Sequence, residues 1–205
     1  GDGTNTTVLN LKRNNNNNNN TVQIGGDITV NTNATLTKTG TGTSASVNFG
    51  FAGATAISSV NWGGAGTYTN TYINYIIQNI PAGKIVTLTR AMTIPAGRSI
   101  TFTNGTLYCG TNVISGAGTF NLSAGATIGI GDANGINTAG ATGNIQTTTR
   151  TFSSGAKYIY NGSSAQSTGT FTTTPTANTV NNITTNNTGT PNTVTLNSSL
   201  TVAGT

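Results

Sequence analysis

The sequence predicts an all-β protein, specifically a parallel β-solenoid with degenerate repeats and no helices of note. Three observations carry that expectation. First, Thr (45), Asn (30), Gly (28) and Ser (14) fill 117 of the 205 positions, and residues that favour helices are sparse. Thr, Val and Ile suit a pleated strand, whereas Gly and Asn suit the turns between strands. Second, short apolar runs alternate with a period of two along almost the whole chain. Third, one strand–corner–strand pattern recurs, as expected where each unit buries its apolar face only by stacking on its neighbours.

In chain order the strand-like runs are TVQI (21–24), DITV (27–30), ATLT (34–37), SVNFGF (46–51), AISSVNW (56–62), KIVTLT (84–89) and AMTI (91–94). They continue with SITFT (99–103), TLYCG (106–110), GTFNL (118–122), ATIGIG (126–131), AKYIYNG (156–162), TVTL (193–196) and SLTV (199–202). Gly, Asn or Ser bounds each run, where a chain must turn.

The recurring pattern is V-x-[I/L]-x-x-x-[I/L/M]-T-[V/I]. Its copies are Val22, Ile24, Ile28, Thr29, Val30; then Val86, Leu88, Met92, Thr93, Ile94; then Val194, Leu196, Leu200, Thr201, Val202. Each is expected to point two pairs of aliphatics inward around a polar corner. At roughly 20–25 residues per coil the chain makes about eight to ten coils, a rod of roughly 40–50 Å at about 4.8 Å per rung. Two stretches of one continuous rod are expected: residues 1–70, with an Asn insertion at 14–20 and an aromatic segment, and residues 71–205. The chain stops at SLTVAGT within the third copy, as if the next coil belonged to a longer chain or to a neighbour.

Composition also restricts chemistry. The acidic residues are Asp2, Asp27 and Asp132, and there is neither Glu nor His. Paired-carboxylate acid/base work, His-based triads and His–metal sites therefore lack their residues. Parallel β-helices often carry polysaccharide lyases or hydrolases, but such sites generally need clustered acids or a base beside bound Ca²⁺, and the three aspartates are far apart. The expectation is no enzyme and no cofactor. The net charge of +5 comes from eight basic residues of which only Lys12 and Arg13 are adjacent, a poor footprint for nucleic acid. No apolar run reaches the roughly 18 residues of a membrane span. Cys109, the one cysteine, cannot form an internal disulfide and sits in an apolar run, as a small buried residue does. With so little that titrates, folding is expected to be insensitive to pH between about 5 and 9.

Three segments stand apart. Asn14–Asn20 is an unbroken Asn run, read either as a low-complexity loop or as a ladder of stacked amides between chains, with Asn14, Asn17 and Asn20 as the candidate assembly contacts. Residues 49–75 carry Phe49, Phe51, Trp62, Tyr68, Tyr72 and Tyr75. Those rings are either core rungs or, for Trp62, Tyr68, Tyr72 and Tyr75, a carbohydrate-stacking platform or interface. The Thr-rich stretch 168–176 lacks the regular T-x-T spacing that an ice-binding face needs.

Three later segments carry a family resemblance: NGTLYCGTNVISGAGTFNLSAGATIGIG (104–131), GATGNIQTTTRTFSSGAKYIYNGSSAQSTG (140–169) and TVNNITTNNTGTPNTVTLNSSLTVAGT (179–205). In wording and order they resemble the β-strand repeats of very large, adhesin-like surface proteins of Bacteroidota that are usually exported by type IX secretion. The resemblance covers roughly two-thirds of the chain and leaves out the Asn run. It implies an extracellular, cell-surface, non-catalytic stalk or filament segment. Its partners would be copies of itself or adjoining repeats of one long chain, with surface polysaccharide as the alternative.

Overall fold

The computed structural model describes residues 7–11, 20–24, 26–38, 47–51, 60–69, 71–77, 80 and 84–204. Those residues form twenty-one strands and no helix. Reading in chain order, β1 (Thr7–Asn10), β2 (Asn20–Ile24) and β3 (Ile28–Thr29) are followed by β4 (Ala34–Thr37), β5 (Val47–Phe51) and β6 (Val60–Gly63). Next come β7 (Thr67–Thr69), β8 (Ile73–Ile77), β9 (Ile85–Leu88), β10 (Met92–Thr93), β11 (Ser99–Phe102) and β12 (Gly105–Tyr108). Then β13 (Ile114–Leu122), β14 (Ala126–Ile130), β15 (Ile145–Phe152), β16 (Lys157–Tyr160) and β17 (Gln166–Ser167). The last four are β18 (Thr179–Val180), β19 (Asn182–Thr185), β20 (Val194–Thr195) and β21 (Thr201–Val202).

Every one of these pairs is parallel, and no strand pairs with the next one in sequence. For the first nine strands the partner is always three strands away. One sheet runs β1-β4-β7, a second β2-β5-β8-β11-β13 and a third β3-β6-β9-β12-β14-β16-β19. The nine-residue β13 pairs with β10 through its first half and with β11 through its second, and β15 lies on its far side. Two-stranded ladders β17-β20 and β18-β21 follow.

Partners lie from 20 residues apart, as Ile100 and Phe120, to 34 apart, as Ile28 and Trp62. Among the described residues the longest sheets have seven strands.

Parallel register lines up like positions, so inward side chains form columns. On the second sheet Tyr75, Ile100 and Phe120 follow one another, and so do Ile77, Phe102, Leu122 and Phe152, all buried. On the third sheet Val86, Leu107, Ile128 and Tyr158 make a matching column. Between them Ser99 and Thr101 on β11 point outward and stay half-buried. Each large apolar residue buried this way contributes roughly 1.5–3 kcal/mol against the ordering entropy of its strand. One column breaks at Arg150, which stands opposite Phe120 in β15. Its guanidinium turns aside and donates to the carbonyls of Thr147 (2.6 Å), Asn137 (2.7 Å) and Gly140, and burial lowers its pKa.

Two expectations need correcting. The run 145–152 is a strand, β15, although IQTTTRTF was not among the predicted runs; its Thr-rich middle hides the alternation. The three copies of the recurring pattern are not equivalent: the first spans β2 and β3, the second β9 and β10, the third β20 and β21. The second copy is inward as expected, with Val86, Leu88, Met92 and Ile94 all buried. In the third, Leu196 is 54% exposed and Val202 47%, because no described strand lies over them.

Candidate functional site

The tyrosines singled out by sequence are placed by β7, the turn at 71–72 and β8. Alternation on β8 sends Tyr75 into the core, where it is 1% exposed and its hydroxyl is held well above the usual phenol range by burial. Tyr75 is therefore a column residue, and its ring has no open face for a ligand. Tyr68 is half-buried. Its hydroxyl donates to the Gly63 carbonyl at 2.5 Å, and the Arg90 guanidinium lies 4.8 Å from the ring centre. Burial pushes its pKa up to about 12, with Arg90 pulling the other way. Tyr72 is also half-buried, with the Lys38 ammonium 4.8 Å from its ring centre.

Each cation over a ring stabilises the strip by about 0.5–2 kcal/mol, depending on desolvation. Arg90 is fully engaged: besides the ring, it donates to the carbonyls of Gly64 (3.0 Å) and Gly66. The strip therefore presents tyrosine rings that each carry a cation on one face. The side chain of Trp62 lies outside the described residues, and only its backbone, on β6, is placed. Asn14 and Asn17 also lie outside them, while Asn20 opens β2 with its backbone opposite Val47.

Below this strip runs a feature that the sequence reading missed. At the corner after the third sheet, one side chain per rung reaches back to the backbone of the preceding rung. Arg90 reaches Gly64; Asn112 donates to the Leu88 carbonyl (2.8 Å). Asn144 donates to the carbonyls of Gly110 (2.8 Å) and Asn112 (2.7 Å) and accepts from the amides of Gly131 (3.1 Å) and Asp132 (3.0 Å). Gln166 donates to the carbonyls of Ile130 (2.9 Å) and Asp132 (3.0 Å) and accepts from the Gly162 amide. Asn187 donates to the Ser164 carbonyl and to the Gln166 side-chain oxygen (2.8 Å). Asn144 and Gln166 are buried, so their own amide groups are satisfied by backbone rather than by water. Nothing in the spacing of Asn among so many other Asn marks this spine.

Compared with protein-family models, curated proteins and solved structures, the chain matches none.

Acidic chemistry is dispersed. The Asp132 carboxylate accepts from the Asn134 backbone amide at 2.8 Å, a local turn contact. Among the described residues no three of His, Cys, Asp and Glu come together as a metal site would need. No helix there is long and apolar enough to cross a membrane. A shallow depression of about 470 Å³ is lined by neutral groups including Asn137, Thr138, Thr170 and Thr172.

Cys109 is fully buried and its thiol is pushed up to about 12 by burial. It is expected to resist a thiol reagent in the native state at pH 8 and to react at once in denaturant. Tyr68 and Cys109 keep their protons to about 12, whereas the free groups release theirs at 10.0 and 9.0. Their contribution is thus fully present below about pH 9 and is lost as pH rises through about 12. Urea midpoints should hold steady from neutral pH to about 9 and fall beyond it; a midpoint that rises with alkali would contradict these shifts.

Proposed function

We propose that the chain is a non-catalytic structural or adhesive segment of an extracellular surface fibre, a parallel β-solenoid that continues by end-to-end stacking on copies of itself or on adjoining repeats. The observation that carries this reading is the placement of exposed large aliphatics. Val8 and Leu9 (55% and 59% exposed) lie on β1, at one edge of its sheet, and Leu196 and Val202 lie in or beside β20 and β21, at the other extreme of the strand order. Among the described residues no large aliphatic of the strands between them is exposed to that degree. Strand edges with open amides and carbonyls beside apolar side chains are templates for further strands.

Further support comes from the charge-poor, hydroxyl- and amide-rich composition and from the resemblance to secreted repeat proteins. The polysaccharide reading has less behind it, since Tyr75 is internal and Tyr68 and Tyr72 each carry a cation on one face.

The test is assembly of the purified chain as its concentration rises, followed by light scattering and electron microscopy. Filaments whose fibre diffraction has a meridional spacing of about 4.8 Å are expected. A monodisperse monomer at every concentration would refute the proposal.

A further inference from the structure

The depression of about 470 Å³ lies between the loop 137–139 after β14, the stretch 170–172 after β17, and residues 178 and 198. Its frame is held from within. The Thr138 amide donates to the Thr170 carbonyl (3.0 Å), the Thr170 amide to Asn137 Oδ1 (2.7 Å) and the Thr172 amide to Thr138 Oγ1 (2.8 Å), so the stretch is fastened to the loop along its length. Behind the loop the Arg150 guanidinium donates to the carbonyls of Asn137 (2.7 Å) and Gly140. Phe171 is 5% exposed and packs against Phe152 and Tyr158. A depression fixed in this way exists before any ligand arrives, so binding costs little further ordering of the protein.

The polar side chains that line it differ from those beside it. Thr173, buried between Thr172 and Thr174, is used by the fold: its hydroxyl donates to the Thr176 carbonyl (2.6 Å) and accepts from the Thr179 amide (2.9 Å). Among the described residues, no hydrogen bond within the protein takes up the hydroxyls of Thr170, Thr172 and Ser198 or the side-chain amide of Asn178, and all four line the depression.

The chemistry of the lining selects a ligand class. None of the lining side chains carries a charge, so nothing in it favours an ion. Each hydroxyl, and the Asn178 amide, both donates and accepts, as the hydroxyls around a sugar ring do. Ala139, Phe171 and the threonine methyls supply apolar surface for the C–H faces of such a ring. The volume also falls within the range of about 300–1,000 Å³ usual for small-molecule sites.

We propose that this depression binds a neutral oligosaccharide, with Thr170, Thr172, Asn178 and Ser198 hydrogen-bonding to its hydroxyls. The site shares no residue with the tyrosine strip and does not depend on end-to-end stacking.

The test is an array of immobilised neutral glucans, mannans, xylans and galactans beside oligosaccharides of uronic acids, probed with the full chain and two variants of it. Thr170→Val combined with Thr172→Val removes two hydroxyls and keeps their shape, and Ala139→Trp fills the depression from an exposed position. The unaltered chain is expected to hold at least one neutral class in preference to the uronic acids. The double variant should bind that class about tenfold more weakly, as the loss of two hydrogen bonds implies, and Ala139→Trp should not bind it. Far-UV circular dichroism checks that both variants fold. An array on which no neutral sugar is held, a preference for uronic acids, or binding that survives both variants would overturn the proposal. Any of these leaves the fibre reading standing, because that is decided by assembly without sugar. Filaments that form from the unaltered chain and are lost in both variants would make the depression a contact between copies and overturn it as a sugar site.

Discussion

Replacing Asn144 by leucine is expected to destabilise the fold by about 4 kcal/mol, among the largest effects of any single substitution here. The side chain is fully buried, and all four of its hydrogen bonds go to backbone: two carbonyls in the preceding rung and two amides at the start of the 131–144 loop. Leucine has the same branching with more bulk and leaves no cavity, so crowding adds to the loss of partners: the Asp132 amide and the Asn112 carbonyl are left without the side chain, whereas the Gly131 amide and the Gly110 carbonyl keep each other at 3.1 Å. Each such group costs roughly 1–3 kcal/mol, partly relieved by local relaxation. In thermal unfolding that is a fall of roughly 10–15 °C for a chain of this size. A shift within about 2 °C would mean that the corner takes in water and that the amide spine is incidental.

The companion change Asn144→Asp sharpens the test. A carboxylate there keeps the acceptor for the two amides but turns a second oxygen toward the Gly110 and Asn112 carbonyls. Burial and those carbonyls must raise the folded-state pKa above the ordinary value of about 3.9. The stability of this variant is therefore fully present below about pH 4 and is lost as pH rises through the folded-state pKa. Partial rescue on acidification, absent in Asn144→Leu, is the expected signature, read from urea midpoints across that range.

How far these features could be read from sequence depends on whether the signal is local. Alternation on β9 and β11 is written in consecutive residues, and there the inward and outward sets came out as expected. Parallel pairing follows from the stacking of such strands, but its register does not: loops of unequal length set it, and so Phe120, Phe152, Phe171 and Tyr158 gather into one aromatic cluster although they are spread over the chain. Phe152 and Phe171 meet edge to face with centres 5.8 Å apart, and Tyr158 lies 5.3 Å from Phe171. The segment rich in aromatics, 49–75, drew attention instead, and its Tyr75 proved to be one rung of a column. The corner amides were illegible for a related reason. Asn112, Asn144, Gln166 and Asn187 do one job at irregular spacing, in two residue types, against a background of 30 asparagines. What marks them is which carbonyl they reach, and only the fold decides that.

Two Gly-Ala-Gly-Thr corners lay between these extremes: Gly64–Thr67 passes over Val30 and Gly116–Thr119 over Ile94, with the Gly66 and Gly118 amides donating to the Val30 (2.6 Å) and Ile94 (2.8 Å) carbonyls, and only the fold shows what the letters pass over. Gly116→Val is expected to cost more than about 4 kcal/mol, since two penalties coincide. A β-branched residue is strained at φ 109°, and its Cβ would run into the Ile94 carbonyl group, which is backbone and cannot swing away. The penalties separate by comparison with Gly97, which also has a left-handed backbone (φ 71°) but no atom within 4 Å of where a Cβ would sit. Gly97→Ala should therefore cost only the conformational part, about 1–2 kcal/mol. Gly116→Ala should cost that plus the enforced separation of two rungs, seen as a lower urea midpoint at an unchanged slope. Equal losses at the two sites would mean that backbone conformation alone selects glycine at Gly116. A clearly larger loss there would mean that the close passage over the Ile94 backbone is what selects glycine.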